Sequence, residues 1–115
     1  MHWKILESID QIEQIRQRSK EVPCLIYKHS NRCHICSITK YRLEDDWSFG
    51  PNEVEVYYLD VISHRPVSQE VANLFQVYHE SPQVLLILDG ECVYDASHLD
   101  IQFQEIKEEL LASQA

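Results

Sequence analysis

The chain has 115 residues, 44% of them hydrophobic, and a formal net charge of −9 from 19 acidic against 10 basic residues. That length suits one domain, residues 1–115, with a real core and no need of disulfide staples. The acidic balance disfavours nucleic acid and membrane surfaces as general partners. The longest apolar block, Val84-Leu85-Leu86-Ile87-Leu88, is far short of a membrane span, and Met1 to Glu7 lacks the apolar stretch of a signal peptide. The expected location is therefore the cytoplasm.

Residues 3–6 read as a short first strand. Ser8 is a candidate N-cap, with Gln11 completing a capping box. Ile9, Ile12 and Ile15 follow at helical spacing to about Ser19. After Pro23, Cys24-Leu25-Ile26-Tyr27 has the short apolar run of a buried strand. It leads into Lys28-His29-Ser30-Asn31-Arg32-Cys33-His34-Ile35-Cys36, the stretch richest in chemistry. A helix is predicted from Ile35 to about Asp46, with Ile35 and Ile38 on its apolar face. Gly50-Pro51 breaks the next loop, and Val54 to Val61 is a third strand. His64-Arg65-Pro66 opens another helix, whose core stripe is Val67, Val71, Leu74, Phe75 and Tyr78. Ser81-Pro82 introduces the most apolar strand, and Asp89-Gly90 predicts a hairpin to Glu91 through Tyr94. Ser97 is expected to cap a last helix burying Leu99, Phe103, Ile106 and Leu110, with Ala112 to Ala115 frayed. The order β-α-β-α-β-α-β-β-α implies an α/β fold: a mixed four- to five-stranded sheet, with parallel pairs, an antiparallel edge and helices on both faces. A C-x-x-C after the second strand and a proline before the fourth resemble the thioredoxin fold.

Of four cysteines, only Cys33 and Cys36 have informative spacing; Cys24 and Cys92 fall in strands, as small apolar residues do. Thiol–disulfide exchange needs a thiolate, and a free thiol with a pKa of about 8.5 is mostly protonated at neutral pH. Cys33 falls at a helix N-terminus, where unpaired backbone N–H groups and the helix dipole favour negative charge. From Val22 to Leu43 there is no Asp or Glu, but there are Lys28, Arg32, Lys40 and Arg42, a second influence of the same sign. Cys36, one turn along, suits a resolving thiol. His34 is a candidate base or cation, or an exposed residue without a chemical role. His29 either caps the strand end or lines the site. A metal is the weaker alternative: a structural zinc takes four ligands, and His29, His64 or Cys92 would have to join the cysteine pair from scattered elements. An iron–sulfur cluster shared between two subunits is a further one.

Tyr27-Lys28-His29-Ser30 followed by Cys33 resembles the bacillithiol-system thioredoxin-like proteins, the monothiol bacilliredoxins. The resemblance continues through Asp60 to Val67, His79-Glu80-Ser81-Pro82-Gln83-Val84, Asp89-Gly90 and Tyr94 to His98. It implies removal of bacillithiol from mixed disulfides on proteins, with Cys33 as the attacking cysteine and no bound cofactor beyond the thiol substrate. It also implies that Pro82 is the cis-proline beside that cysteine, turning Ser81 toward the substrate. Lys28, His29, Ser30, Arg32 and His34 are the remaining candidates for substrate binding or thiolate tuning. The sequence departs from the family at Cys36, where the monothiol pattern usually has serine. A dithiol cycle, a general thioredoxin-like reductase and a non-catalytic metal- or partner-binding module all stay open. Expected partners are bacillithiolated proteins and a low-molecular-weight thiol.

Overall fold

The computed structural model describes residues 1–113. Among them, five strands form one mixed sheet in the order β1-β3-β2-β4-β5: β1 (Lys4–Ile5), β2 (Cys24–His29), β3 (Glu55–Asp60), β4 (Gln83–Leu88) and β5 (Glu91–Ser97). Strands β1, β3 and β2 run parallel, whereas β4 is antiparallel to β2 and β5 to β4. The helices are α1 (Ile9–Arg18), α2 (His34–Asp46), α3 (Arg65–Phe75) and α4 (Phe103–Ser113), with a short 3-10 turn, His98–Asp100, before α4.

Pleating explains the two-sided core, because successive side chains point to opposite faces. Cys24 and Ile26 of β2, with Leu85 and Ile87 of β4, join Ile12, Ile15, Val67, Val71 and Phe75 of α1 and α3. Leu25, Tyr27, Val84 and Leu86 join Leu43 of α2 and Phe103, Ile106 and Leu110 of α4. The central strands are thus covered on both sides, which is why β4 reads as an unbroken apolar run rather than an alternation. Each fully buried side chain, such as Leu85, Leu86 or Ile87, contributes roughly 1.5–3 kcal/mol.

Local signals set the ends of the elements. The Gln11 side chain accepts from the Ser8 backbone N–H at 2.9 Å, starting α1 as the capping box predicts. Pro66 sits in the first turn of α3, and Gln76 ends that helix in the left-handed region (φ 57°), its N–H bonded to the Ala72 carbonyl. Asp89 and Gly90 both take positive φ, as a two-residue hairpin requires.

Four expectations are corrected. Ile35 and Ile38 are 38% and 50% exposed, and α2 instead buries Cys36, Thr39 and Leu43. Ile9 is half exposed, leaving Ile12 and Ile15 as the buried face of α1. Leu74, still within α3, is 39% exposed, and the left-handed turn at Gln76 breaks the phase beyond it, leaving Tyr78 94% exposed. Ser97 stands at the start of the 3-10 turn rather than of α4 and makes no side-chain capping bond, and His98 at φ 56° turns Leu99 out to solvent while Ile101 is buried in its place. Ala112 and Ser113 belong to α4; Gln114 and Ala115 lie outside the described residues.

The sheet gathers three strand ends at one edge. His29 pairs with Asp60, so β2 and β3 finish together. Lys28 pairs with Gln83, so β4 begins where β2 ends. The bond between Ser81 and Pro82, just ahead of β4, is cis.

Candidate active site

At that edge β2 gives way to a tight turn. The Ser30 carbonyl accepts from the Cys33 N–H at 3.2 Å, and the Ser30 hydroxyl accepts from the Arg32 N–H at 3.3 Å. Asn31 donates to Asp60 at 3.4 Å, tying the turn to the end of β3. Asp60 also accepts from the backbone N–H groups of Ile62 and Ser63, which hold its carboxyl below the usual range against the cost of burial. This turn delivers Cys33 as the N-cap of α2, in extended conformation and partly exposed.

The two thiols differ as their places dictate. The Cys33 thiol is held below its ordinary range, first by the Cys36 backbone N–H, then by the Cys36 side chain and the Ile35 N–H. These are the unpaired donors of a helix start, and they favour the thiolate. Cys36 is fully buried, and burial first, with the facing Cys33 adding to it, pushes its thiol up to about 11. The Ser30 N–H points at its sulfur from 3.4 Å and opposes part of that rise. Both thiols are free. The Tyr27 hydroxyl, buried beneath the helix start, donates to the Cys36 carbonyl at 2.9 Å and fixes the first turn of α2.

Lys28 stands apart from the exposed residues. It is fully buried, shares the face of Cys24 and Ile26, and reaches under α3. Its ammonium donates to the Ser68 carbonyl at 3.1 Å and lies 3.3 Å from His79 Nδ1, which also lies 3.1 Å from the Ser68 hydroxyl. With no carboxylate beside it, burial pushes its pKa down to about 8. A direct contact between Lys28 and substrate is thereby corrected: the side chain never reaches the surface. Lys40 is likewise engaged, bonded to Glu44 at 3.1 Å. The acid-free window is a feature of sequence, and none of its cations contributes to the lowered pKa of Cys33.

Arg32 and His34 are exposed on either side of Cys33. His29 lies on the α2 face of the sheet, 5% exposed, its ring against Tyr58 at 5.3 Å, and burial first lowers its pKa. The β2–β4 register runs on toward the turn from Lys28 and Gln83, bringing the buried Pro82 and half-buried Ser81 to the same edge. Pro82 is held there by the His98 N–H, which donates to its carbonyl at 2.9 Å. Cys33, Cys36, Ser30, Arg32, His34, His29, Ser81 and Pro82 thus share one edge of the sheet. Tyr27 and Asp60 join the site beyond the residues expected of it. Their positions at the ends of β2 and β3 were legible, but not that their side chains brace the turn and helix.

Among the described residues, no three or more His, Cys, Asp or Glu side chains converge as a metal site. His64 and Cys92 therefore do not complete a ligand set with the cysteine pair. No helix in this part of the chain is long and apolar enough to cross a membrane.

The architecture recurs in solved structures. A thioredoxin from Malassezia sympodialis, 16% identical, matches 98% of this chain and 91% of its own with a TM-score of 0.74. A thioredoxin from Trypanosoma brucei brucei, 13% identical, matches 96% and 89% with a TM-score of 0.72. At such identities the likeness establishes the thioredoxin fold alone. A protein described as a candidate oxidoreductase with a thioredoxin fold is 30% identical, over 92% of this chain and 91% of its own, with a TM-score of 0.78. The family description "Monothiol bacilliredoxin BrxC" matches residues 4–106, from β1 into α4 and across the whole cysteine edge. The chain belongs to the monothiol bacilliredoxin family, and its thioredoxin fold and family carry a thiol–disulfide redox role.

Proposed function

We propose that the protein removes bacillithiol from mixed disulfides on proteins, with Cys33 as the attacking sulfur. The observation that carries this reading is the inequality of the two thiols: Cys33 partly exposed and lowered by helix N–H groups, Cys36 buried and raised to about 11. In the first step the Cys33 thiolate attacks the bacillithiol sulfur of the mixed disulfide. A Cys33–bacillithiol disulfide forms, the old S–S bond breaks, and the client cysteine leaves as its thiolate. In the second step either an external thiolate attacks the bacillithiol sulfur, releasing the Cys33 thiolate and leaving that thiol and bacillithiol joined in a disulfide, or Cys36 attacks the Cys33 sulfur and releases bacillithiol thiolate. The internal route leaves a Cys33–Cys36 disulfide, which a dithiol or two small thiols must then reduce.

The environment supports the internal route. Once Cys33 is in a disulfide it carries no charge, and its contribution to the raised pKa of Cys36 is gone, although burial, the larger cause, remains. The Ser30 N–H then remains to stabilise the Cys36 sulfur as an anion. Ser81, ahead of the cis-Pro82, is proposed to offer its backbone to the substrate, and Arg32 to meet the acidic groups of bacillithiol. Free thiols at all four positions suit a reducing, cytoplasmic compartment. No resident cofactor is required by this cycle.

Intact-mass analysis after incubation with bacillithiol disulfide tests the assignment. Cys33→Ser is expected to take up no bacillithiol at the site, whereas Cys36→Ser accumulates one equivalent on Cys33. Equal labelling of both variants contradicts the roles. A general dithiol reductase instead predicts that bacillithiolated and glutathionylated forms of one client are reduced at the same rate.

A further inference from the structure

Ser81 reaches the cysteine edge on a stretch of chain that does little to hold itself. Between Phe75, the end of α3, and Gln83, the start of β4, there is neither helix nor strand. Val77 is still tied to α3, its N–H donating to the Ala72 carbonyl at 3.1 Å. The Tyr78 carbonyl accepts from the Gln83 side chain at 2.8 Å, and the Pro82 carbonyl from the His98 N–H at 2.9 Å. Among the described residues, no backbone hydrogen bond reaches His79, Glu80 or Ser81. The tie on this stretch is the His79 ring, whose Nδ1 lies 3.3 Å from the Lys28 ammonium and 3.1 Å from the Ser68 hydroxyl.

The chemistry of that contact fixes its direction. An ammonium can only donate, so His79 Nδ1 accepts and the ring proton sits on Nε2. Lys28 is itself fixed, because it is fully buried and also donates to the Ser68 carbonyl of α3 at 3.1 Å. Burying an amine with no carboxylate beside it costs stability, and an alkyl side chain would fill the same space without that cost. What the amine supplies is a directed bond. The main chain of Lys28 meanwhile pairs with Gln83. One residue of β2, five positions ahead of Cys33, thus holds the His79–Gln83 stretch at both ends: His79 through its side chain, Gln83 through its main chain.

We propose that Lys28 and His79 are positioning residues for the thiol–disulfide reaction, the link between them holding the Ser81 main chain in place to receive a disulfide substrate at Cys33. The inference rests on the proposed role of Ser81. It gives the buried amine a task at a site its side chain never touches. A bond from Ser81 to substrate is present before and during the reaction, so loosening it raises KM and leaves kcat nearly unchanged. The Cys33 thiolate is set by N–H groups of α2 and does not depend on the link.

Two arms test it. In the first, NMR of the wild type at neutral pH is expected to show His79 Nδ1 unprotonated. The order parameter of the Ser81 amide is expected to fall from about 0.85 to below about 0.6 in His79→Ala. A protonated Nδ1, or a Ser81 equally rigid in the variant, overturns the proposal. In the second arm, bacillithiolated and glutathionylated forms of one client are reduced in parallel. His79→Ala is expected to raise KM about tenfold, the size of one buried hydrogen bond, with the midpoint of Cys33 alkylation unmoved. His79→Asn, whose amide oxygen can accept where Nδ1 does, is expected to restore most of the loss. Lys28→Met should match His79→Ala, and the double variant should be no worse than either, since both cut one link. An unchanged KM in folded His79→Ala, no rescue by His79→Asn, or effects that multiply in the double variant would overturn the assignment. If Lys28→Met does not fold, the two His79 variants decide alone. A wild type that reduces only the glutathionylated client removes the proposed function, while KM on that client still decides the link.

Discussion

The two faces of β2 treat ionisable side chains in opposite ways. On the α2 face, Cys33 meets the free N–H groups of a helix start, and its thiol is drawn toward the thiolate. On the α1–α3 face, Cys24 and Lys28 are fully buried, away from any helix start, and at Cys24 the pull of Arg18, Lys4 and Tyr57 is outweighed by burial and Glu55. Burial first pushes the Cys24 thiol up to about 12, and burial pushes Lys28 down to about 8. Both are driven toward neutrality. Desolvation is common to buried groups on either side; oriented backbone dipoles are present on one side only. The reactive sulfur is therefore made by where α2 begins, rather than by the cations near it in sequence.

The largest effect that sharpens this comparison concerns Lys28. An unfolded lysine keeps its proton to about pH 10.4, whereas the folded chain releases it at about 8. Between these values the unfolded state binds more protons, so stability rises with pH there and is lost as pH falls through 8. The slope approaches about 1.4 kcal/mol per pH unit. That is the contribution of Lys28 alone; the buried thiols of Cys24, Cys36 and Cys92, all raised, slope the other way over the same range, so it is read as a difference. Denaturant unfolding between pH 7.5 and 10 is expected to show the stability of the wild type rising relative to that of Lys28→Met. A difference that does not change with pH would place Lys28 in water.

Next in size is the backbone itself. Ile35→Pro removes one N–H facing the Cys33 sulfur at a helix position early enough to tolerate proline. The midpoint of Cys33 alkylation is expected to move up, though by less than loss of the Cys36 N–H would give, since that N–H is the larger influence. The smallest effect is Arg32→Ala, which is expected to leave that midpoint in place, because the side chain is exposed and screened. If Arg32→Ala moves the midpoint more than Ile35→Pro, charge rather than backbone governs the thiol.

Much of this was legible from residues. The Ser8–Gln11 box, the Asp89-Gly90 hairpin and the two-sided strands follow from local chemistry, and the fold came with them. Cys33 at a helix start also follows, because a short apolar strand stops just before it. The helix faces were harder. In α2 the bulky Ile35 and Ile38 suggest the buried side, but the smaller Cys36 and Thr39 are the ones that pack inward with Leu43. Tyr78 left the α3 stripe because a left-handed residue at Gln76 reset the phase. Charge was the least readable feature, since nothing in Lys28 itself reveals that its strand position points under α3.

The most direct test follows the alkylation rate of each of the four cysteines against pH by mass spectrometry of the wild-type protein. Cys33 is expected to react alone at neutral pH, with a midpoint below that of an unperturbed thiol, while Cys24, Cys36 and Cys92 stay protected. A Cys33 midpoint at the ordinary thiol value, or Cys36 reacting first, would contradict the account.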